Sequence, residues 1–119
     1  MVIGVGIDLV EIGRIAQAME NPRFVYRILT DRERILFRTP AQVAGRWAAK
    51  EAIAKAVGLH LRWQQVEVLP DELGVPTASV WSPDYDPSRL RLKVSITHER
   101  THAAAVAILE RIVLHRQML

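Results

Sequence analysis

The sequence contains no cysteine, which excludes a disulfide framework and any thiolate metal site. It also lacks any run approaching the roughly 20 apolar residues that span a membrane. Aromatic residues are scarce, with three Trp, two Tyr and two Phe. None forms the stripe on which single-stranded nucleic acids stack their bases. Lysine is nearly as rare: Lys50, Lys55 and Lys93 stand against thirteen arginines. Arginine's planar fork suits phosphate and carboxylate recognition.

What is present is ordinary globular composition: 119 residues, half of them hydrophobic and 24% charged. A chain of this size buries roughly 65% of its unfolded surface, enough for one core, and no linker or repeat divides it. One domain over residues 1–119 is expected. The net charge of +3 suits an acidic partner, a phosphate-rich ligand or nucleic acid without choosing among them. Met1 to Gly6 is apolar, but no basic leader precedes it and Asp8 interrupts it. It reads as a first strand rather than a signal peptide, so a cytoplasmic protein is expected.

Residues 2–10 alternate. Ile3, Val5, Ile7 and Leu9 share one face, read as core, whereas Gly4, Gly6 and Asp8 share the other. A strand glycine often marks close approach of another backbone or a ligand. Residues 11–20 read as a helix ending at Asn21-Pro22, and Arg23–Leu29 as a second. Thr30-Asp31-Arg32-Glu33 has the form of a capping box that opens a short helix. Residues 41–57 form the clearest helix, closed by Gly58. At about 100° per residue, Gly45, Ala48, Ala49, Ala52, Ile53 and Ala56 make a stripe of mostly small side chains. Arg46 and Lys50 flank one edge; Glu51 and Lys55 flank the other. A hairpin over Gln64–Leu69 and Thr77–Trp81 follows, then an alternating strand, Leu90–His98. Residues 101–113 suit either a helix or a strand.

Asp8 stands among apolar residues, where a carboxylate must be paired, bound to a cation, or spent capping the following helix. Glu51 reads alone as an i,i+4 partner of Lys55. Together they are more interesting. If the small-residue stripe packs on the first strand, Glu51 comes within reach of the Gly-Gly-Asp face. Two carboxylates with positions open to water and phosphate oxygens suit magnesium. Arg46, Lys50 and Lys55 would then be a polyphosphate clamp rather than a solvated face. His98 falls in the inward phase of its strand and reads equally as a core histidine. Arg14, Arg23 and Arg27 on the early helices read singly as ordinary surface and, taken as a cluster, as a landing patch for an acidic protein.

Three motifs, Gly6-Ile7-Asp8-Leu9-Val10-Glu11-Ile12, Gly45-Arg46-Trp47-Ala48-Ala49-Lys50-Glu51-Ala52 with Lys55, and Ser95-Ile96-Thr97-His98, resemble in order and spacing the holo-[acyl-carrier-protein] synthases. These are the small members of the 4′-phosphopantetheinyl transferase family. The resemblance implies an α+β fold with a long helix on an antiparallel sheet, and a homotrimer with active sites between subunits. It implies transfer of phosphopantetheine from coenzyme A to a serine of apo-acyl carrier protein, for fatty acid biosynthesis. Asp8 and Glu51 match the magnesium ligands, and with Lys55 the catalytic set. Arg46, Lys50, Lys55 and His98 match positions along coenzyme A; Arg14, Arg23 and Arg27 match the carrier-binding helix. The proton acceptor for the serine stays open between Asp8, Glu51 and a bound water. Relatives serving peptide or polyketide carriers are about twice as long, so a fatty-acid carrier is preferred. A basic nucleic-acid module is the alternative from another class, and the missing aromatic stripe argues against it. One departure stands out: Gly58-Leu59-His60 replaces the family's Gly-Thr-Gly.

Overall fold

A computed structural model describes residues 1–113. The order of elements is β1 (Val2–Glu11), α1 (Ile12–Ala18), α2 (Arg23–Ile28), α3 (Asp31–Leu36), α4 (Pro40–Val57), β2 (Val66–Pro70), β3 (Pro76–Val80), β4 (Leu90–His98) and β5 (His102–Arg111). A 3-10 turn, Trp63–Gln65, precedes β2. The ambiguous C-terminal segment is a strand. β5 lies between β1 and β4 in an antiparallel sheet, and β2 and β3 form a separate hairpin.

Local chemistry sets the helix ends. Thr30 and Glu33 make the expected capping box on α3. Thr39 and Gln42 make a second one on α4, with Pro40 at the first helical position, where its missing N–H costs nothing. Gly58 closes α4 in the left-handed region, φ 69°.

α4 lies across β1 and β5 because both surfaces are stripped of bulk. Gly45, Ala48, Ala49, Ala52, Ile53 and Ala56 are all buried. Opposite them β5 turns in Ala103, Ala105, Ala107 and Leu109, all buried, and β1 turns in Gly4 and Gly6. A methyl group built on Gly6 would lie 1.9 Å from the carbonyl oxygen of Ala52, and one on Gly4 2.0 Å from that of Ala56. Strand backbone rests directly on helix backbone.

This packing reverses one expectation. The Ile3, Val5, Ile7 and Leu9 face of β1 is not core: the four residues are 41%, 61%, 68% and 67% exposed. The helix takes the glycine face because branched side chains would hold it too far off. The sheet is therefore left with an outward apolar surface. Ile7 is paired with Val106 and Val5 with Ile108. On β4, Leu90, Leu92, Val94 and Ile96 point inward as expected.

Candidate active site

The glycine contacts set the register between β1 and α4. Gly4 sits at Ala56 and Gly6 at Ala52, so two strand residues descend four helix residues. The rises match, at about 6.6 Å against about 6 Å. One further step puts Asp8 at the level of Ala48, next to Glu51, its i+3 neighbour. Lys55 closes the arrangement: its Nζ donates to the Ile7 carbonyl at 2.9 Å and to Asp8 Oδ1 at 3.3 Å.

Asp8 does not cap α1, whose first turn receives no side-chain hydrogen bond from its N-cap, Glu11. The Asp8 side chain is 16% exposed and that of Lys55 53%. Oδ2 of Asp8 and both oxygens of half-buried Glu51 accept no hydrogen bond among the described residues. Two hard oxygen donors with unshared acceptor capacity, and no competing thiolate, fit a magnesium ion. Geometry thus unites Asp8, Glu51 and Lys55 on one flank of α4.

Arg46 and Lys50 lie on the other flank. Lys50 is no phosphate ligand in this chain, a correction to its assignment along coenzyme A. Its side chain is 2% exposed, and Nζ donates to the Ile28 carbonyl (2.7 Å), to Glu33 Oε1 (2.7 Å) and to the Trp63 carbonyl (3.1 Å). All three ammonium protons are used. Burial pushes its pKa down, and the carboxylate of Glu33 opposes that shift. Glu33 is completely buried and also accepts from the amides of Thr30 and Val68, each at 2.8 Å.

Arg46 rests on the ring of Phe37, with Cζ 3.6 Å from the centroid. Burial lowers its pKa to about 10, offset in part by Glu33, so it is a cation at neutral pH. Its Nε is buried with no hydrogen-bond partner among the described residues. A buried donor left unpaired is costly. His98 is exposed at the end of β4, not a core histidine. It lies two residues beyond Ile96, whose Cγ2 faces Gly45, and so sits toward the N-terminal end of α4.

Arg14, on α1, and Arg23 and Arg27, on α2, are all exposed. Arg23 and Arg27 line a groove of about 530 Å³ with Gln17, Ala18, Asn21 and Phe24. Cations edge it and Phe24 supplies its apolar floor. His60 is exposed just past the cap of α4.

Two features escaped the sequence reading. Phe24, Trp47 and Trp63 stack in a row, with centroids 5.8 Å and 4.4 Å apart, beside the turn that carries Glu51. Their spacing along the chain hides the cluster. The other is Glu33, legible in sequence only as half of a capping box, whose burial against Lys50 has no local signal.

The chain belongs to the 4′-phosphopantetheinyl transferase superfamily, whose family model matches residues 4–107. Curated relatives to which it is similar include holo-[acyl-carrier-protein] synthases. It is 43% identical to that enzyme of an Exiguobacterium species, over 92% of this chain and 93% of the relative. It is 33% identical to the solved Bacillus anthracis holo-(acyl-carrier-protein) synthase in complex with coenzyme A (3′,5′-ADP), with TM-score 0.82, covering 94% of this chain and 99% of that one. The Helicobacter pylori enzyme in complex with coenzyme A is 28% identical, with TM-score 0.81, covering 89% and 99%.

Proposed function

We propose that this chain is a cytoplasmic, magnesium-dependent holo-[acyl-carrier-protein] synthase, a single domain that moves 4′-phosphopantetheine from coenzyme A to a serine of apo-acyl carrier protein for fatty acid biosynthesis. The observation that carries this reading is the glycine face of β1 seated on α4, which brings Asp8 to Lys55 and to the level of Ala48, one turn from Glu51. No helix among the described residues is long and apolar enough to cross a membrane.

Asp8 and Glu51 would hold magnesium, which supplies charge neutralisation at the pyrophosphate. Lys55 orients Asp8 and offers its exposed ammonium to the same phosphates. The serine oxygen forms a bond to the β-phosphorus. The bond from that phosphorus to the bridging oxygen breaks, and its electron pair leaves on adenosine 3′,5′-bisphosphate. The serine proton needs an acceptor at this site, and Asp8 Oδ2 and both Glu51 oxygens accept no hydrogen bond among the described residues.

Arg46 and His98 stand on the opposite flank from Asp8, which supports a site shared between subunits. In a homotrimer, one protomer would supply Asp8, Glu51 and Lys55, and its neighbour would present Arg46 and His98 to the nucleotide. The exposed Ile3, Val5, Ile7 and Leu9 face is the surface such an assembly would cover. Ile7→Lys is expected to convert the three-chain mass in light scattering to that of one chain, with transfer lost. An unchanged mass would count against this interface.

The cationic groove supports an acidic carrier as the partner. Reversing Arg14, Arg23 or Arg27 to Glu should raise the carrier KM on the order of tenfold each, a little over 1 kcal/mol. Coenzyme A affinity should hold, and the effect should shrink in high salt. Equal losses for both substrates would remove the groove from carrier docking. For the reaction itself, the test is the mass of apo-carrier after incubation with enzyme, coenzyme A and magnesium. One added phosphopantetheine is expected; an unmodified carrier beside folded enzyme would refute the activity.

A further inference from the structure

Helix α2 has its last turn tied down from outside. Gln64, on the 3-10 turn, donates through Nε2 to the carbonyls of Tyr26 (3.0 Å), Arg27 (3.2 Å) and Leu29 (2.8 Å). Lys50 takes the remaining carbonyl, that of Ile28. The final carbonyls of a helix have no partner of their own, so these two side chains complete α2. Lys50 also binds the carbonyl of Trp63, which locks the same 3-10 turn to α4. Leu61, Arg62 and Trp63 wall a cavity of about 30 Å³ that Lys50 and Glu51 line from the helix side.

Lys50 therefore joins the helix that carries Arg23 and Arg27 to the residue next to it in sequence, Glu51. An ion pair this deep is poor evidence of a purely stabilising role, because apolar replacements often hold a core as well. What an ammonium adds is direction, fixed here by two carbonyls and one carboxylate.

We propose that Lys50, assisted by Gln64, is a positioning residue for transfer: it sets where a carrier docked on α2 presents its serine relative to the Glu51 carboxylate. This rests on the functional reading above. A misplacement of about 1 Å can cost on the order of a hundredfold in rate.

The test compares Lys50→Met, Lys50→Met/Glu33→Gln and Gln64→Ala in the full chain. Folding is followed by circular dichroism, and competent sites are counted by calorimetric titration with coenzyme A. For Lys50→Met we expect kcat per coenzyme A site to fall roughly 10- to 100-fold, with coenzyme A Kd within about threefold. In the double variant, which removes both buried charges, Tm should recover and kcat should not. Gln64→Ala, at an exposed position, should lower kcat about 3- to 10-fold at nearly unchanged Tm. Normal kcat per site in Lys50→Met, or recovery of kcat together with Tm, overturns the proposal. If the Lys50 variants do not fold, normal kcat in Gln64→Ala overturns it alone. Absence of transfer by the wild-type chain would instead overturn the functional reading, and this proposal with it.

Discussion

Asp8→Ala and Glu51→Ala are each expected to cut phosphopantetheine transfer roughly a thousandfold or more, the scale on which losing one group that stabilises developing charge is felt, while the protein stays folded. The separation of the two effects follows from their surroundings. Among the described residues Asp8 has one partner, Lys55, whose side chain is 53% exposed. A pair so open to water contributes at most about 1 kcal/mol to stability. Glu51 has no protein partner among the described residues, so its removal leaves nothing in the fold unpaired. Steady-state transfer beside thermal unfolding measures both quantities. A large drop in Tm in either variant would mean that the carboxylate serves the fold. Lys55→Ala should fall between wild type and these variants, because it removes an orienting ammonium and leaves both carboxylates.

Gly6→Ala should be the most damaging alanine substitution among the six glycines. The new carbon would lie 1.9 Å from the Ala52 carbonyl oxygen and 2.9 Å from the amide nitrogen of Ala56. Both belong to helix backbone, which cannot rotate aside as a side chain does. β1 must lift from α4 by an ångström or more. Overpacking of this kind costs about 3 kcal/mol or more, a fall in Tm on the order of 10 °C or more for a domain of this size. Asp8 lies two residues further along the same strand face, so it should be displaced from Glu51 and transfer should fall as well. Gly13→Ala provides the control, since a methyl there meets nothing within 4 Å and α1 should tolerate it. Equal stability of the Gly6 and Gly13 variants would disprove the direct seating of strand on helix.

The sequence made the elements and their contact legible because the signals were local. The Thr30–Glu33 box, the Gly58 cap, and the small residues of α4 facing Gly4 and Gly6 all follow from steric rules within a few residues. The face of β1 was misread because alternation says which residues share a side, not which side meets the helix. Closest approach decided it, and two glycines outweighed four branched or long side chains. The polyphosphate clamp failed in part for a similar reason. A helical wheel puts Arg46 and Lys50 on one edge, but it cannot show that Glu33 waits opposite them in the core. Asp8, Glu51 and Lys55 were readable because strand register and helix pitch advance at nearly the same rate.

The central claim is that Asp8 and Glu51 share one divalent cation, and electron paramagnetic resonance with Mn²⁺ as the probe tests it most directly. Titrated into the chain with coenzyme A present, Mn²⁺ should bind at one site per chain. Asp8→Asn and Glu51→Gln should each weaken that site by about tenfold or more, without unfolding the protein. Unchanged Mn²⁺ affinity in both variants would contradict the account.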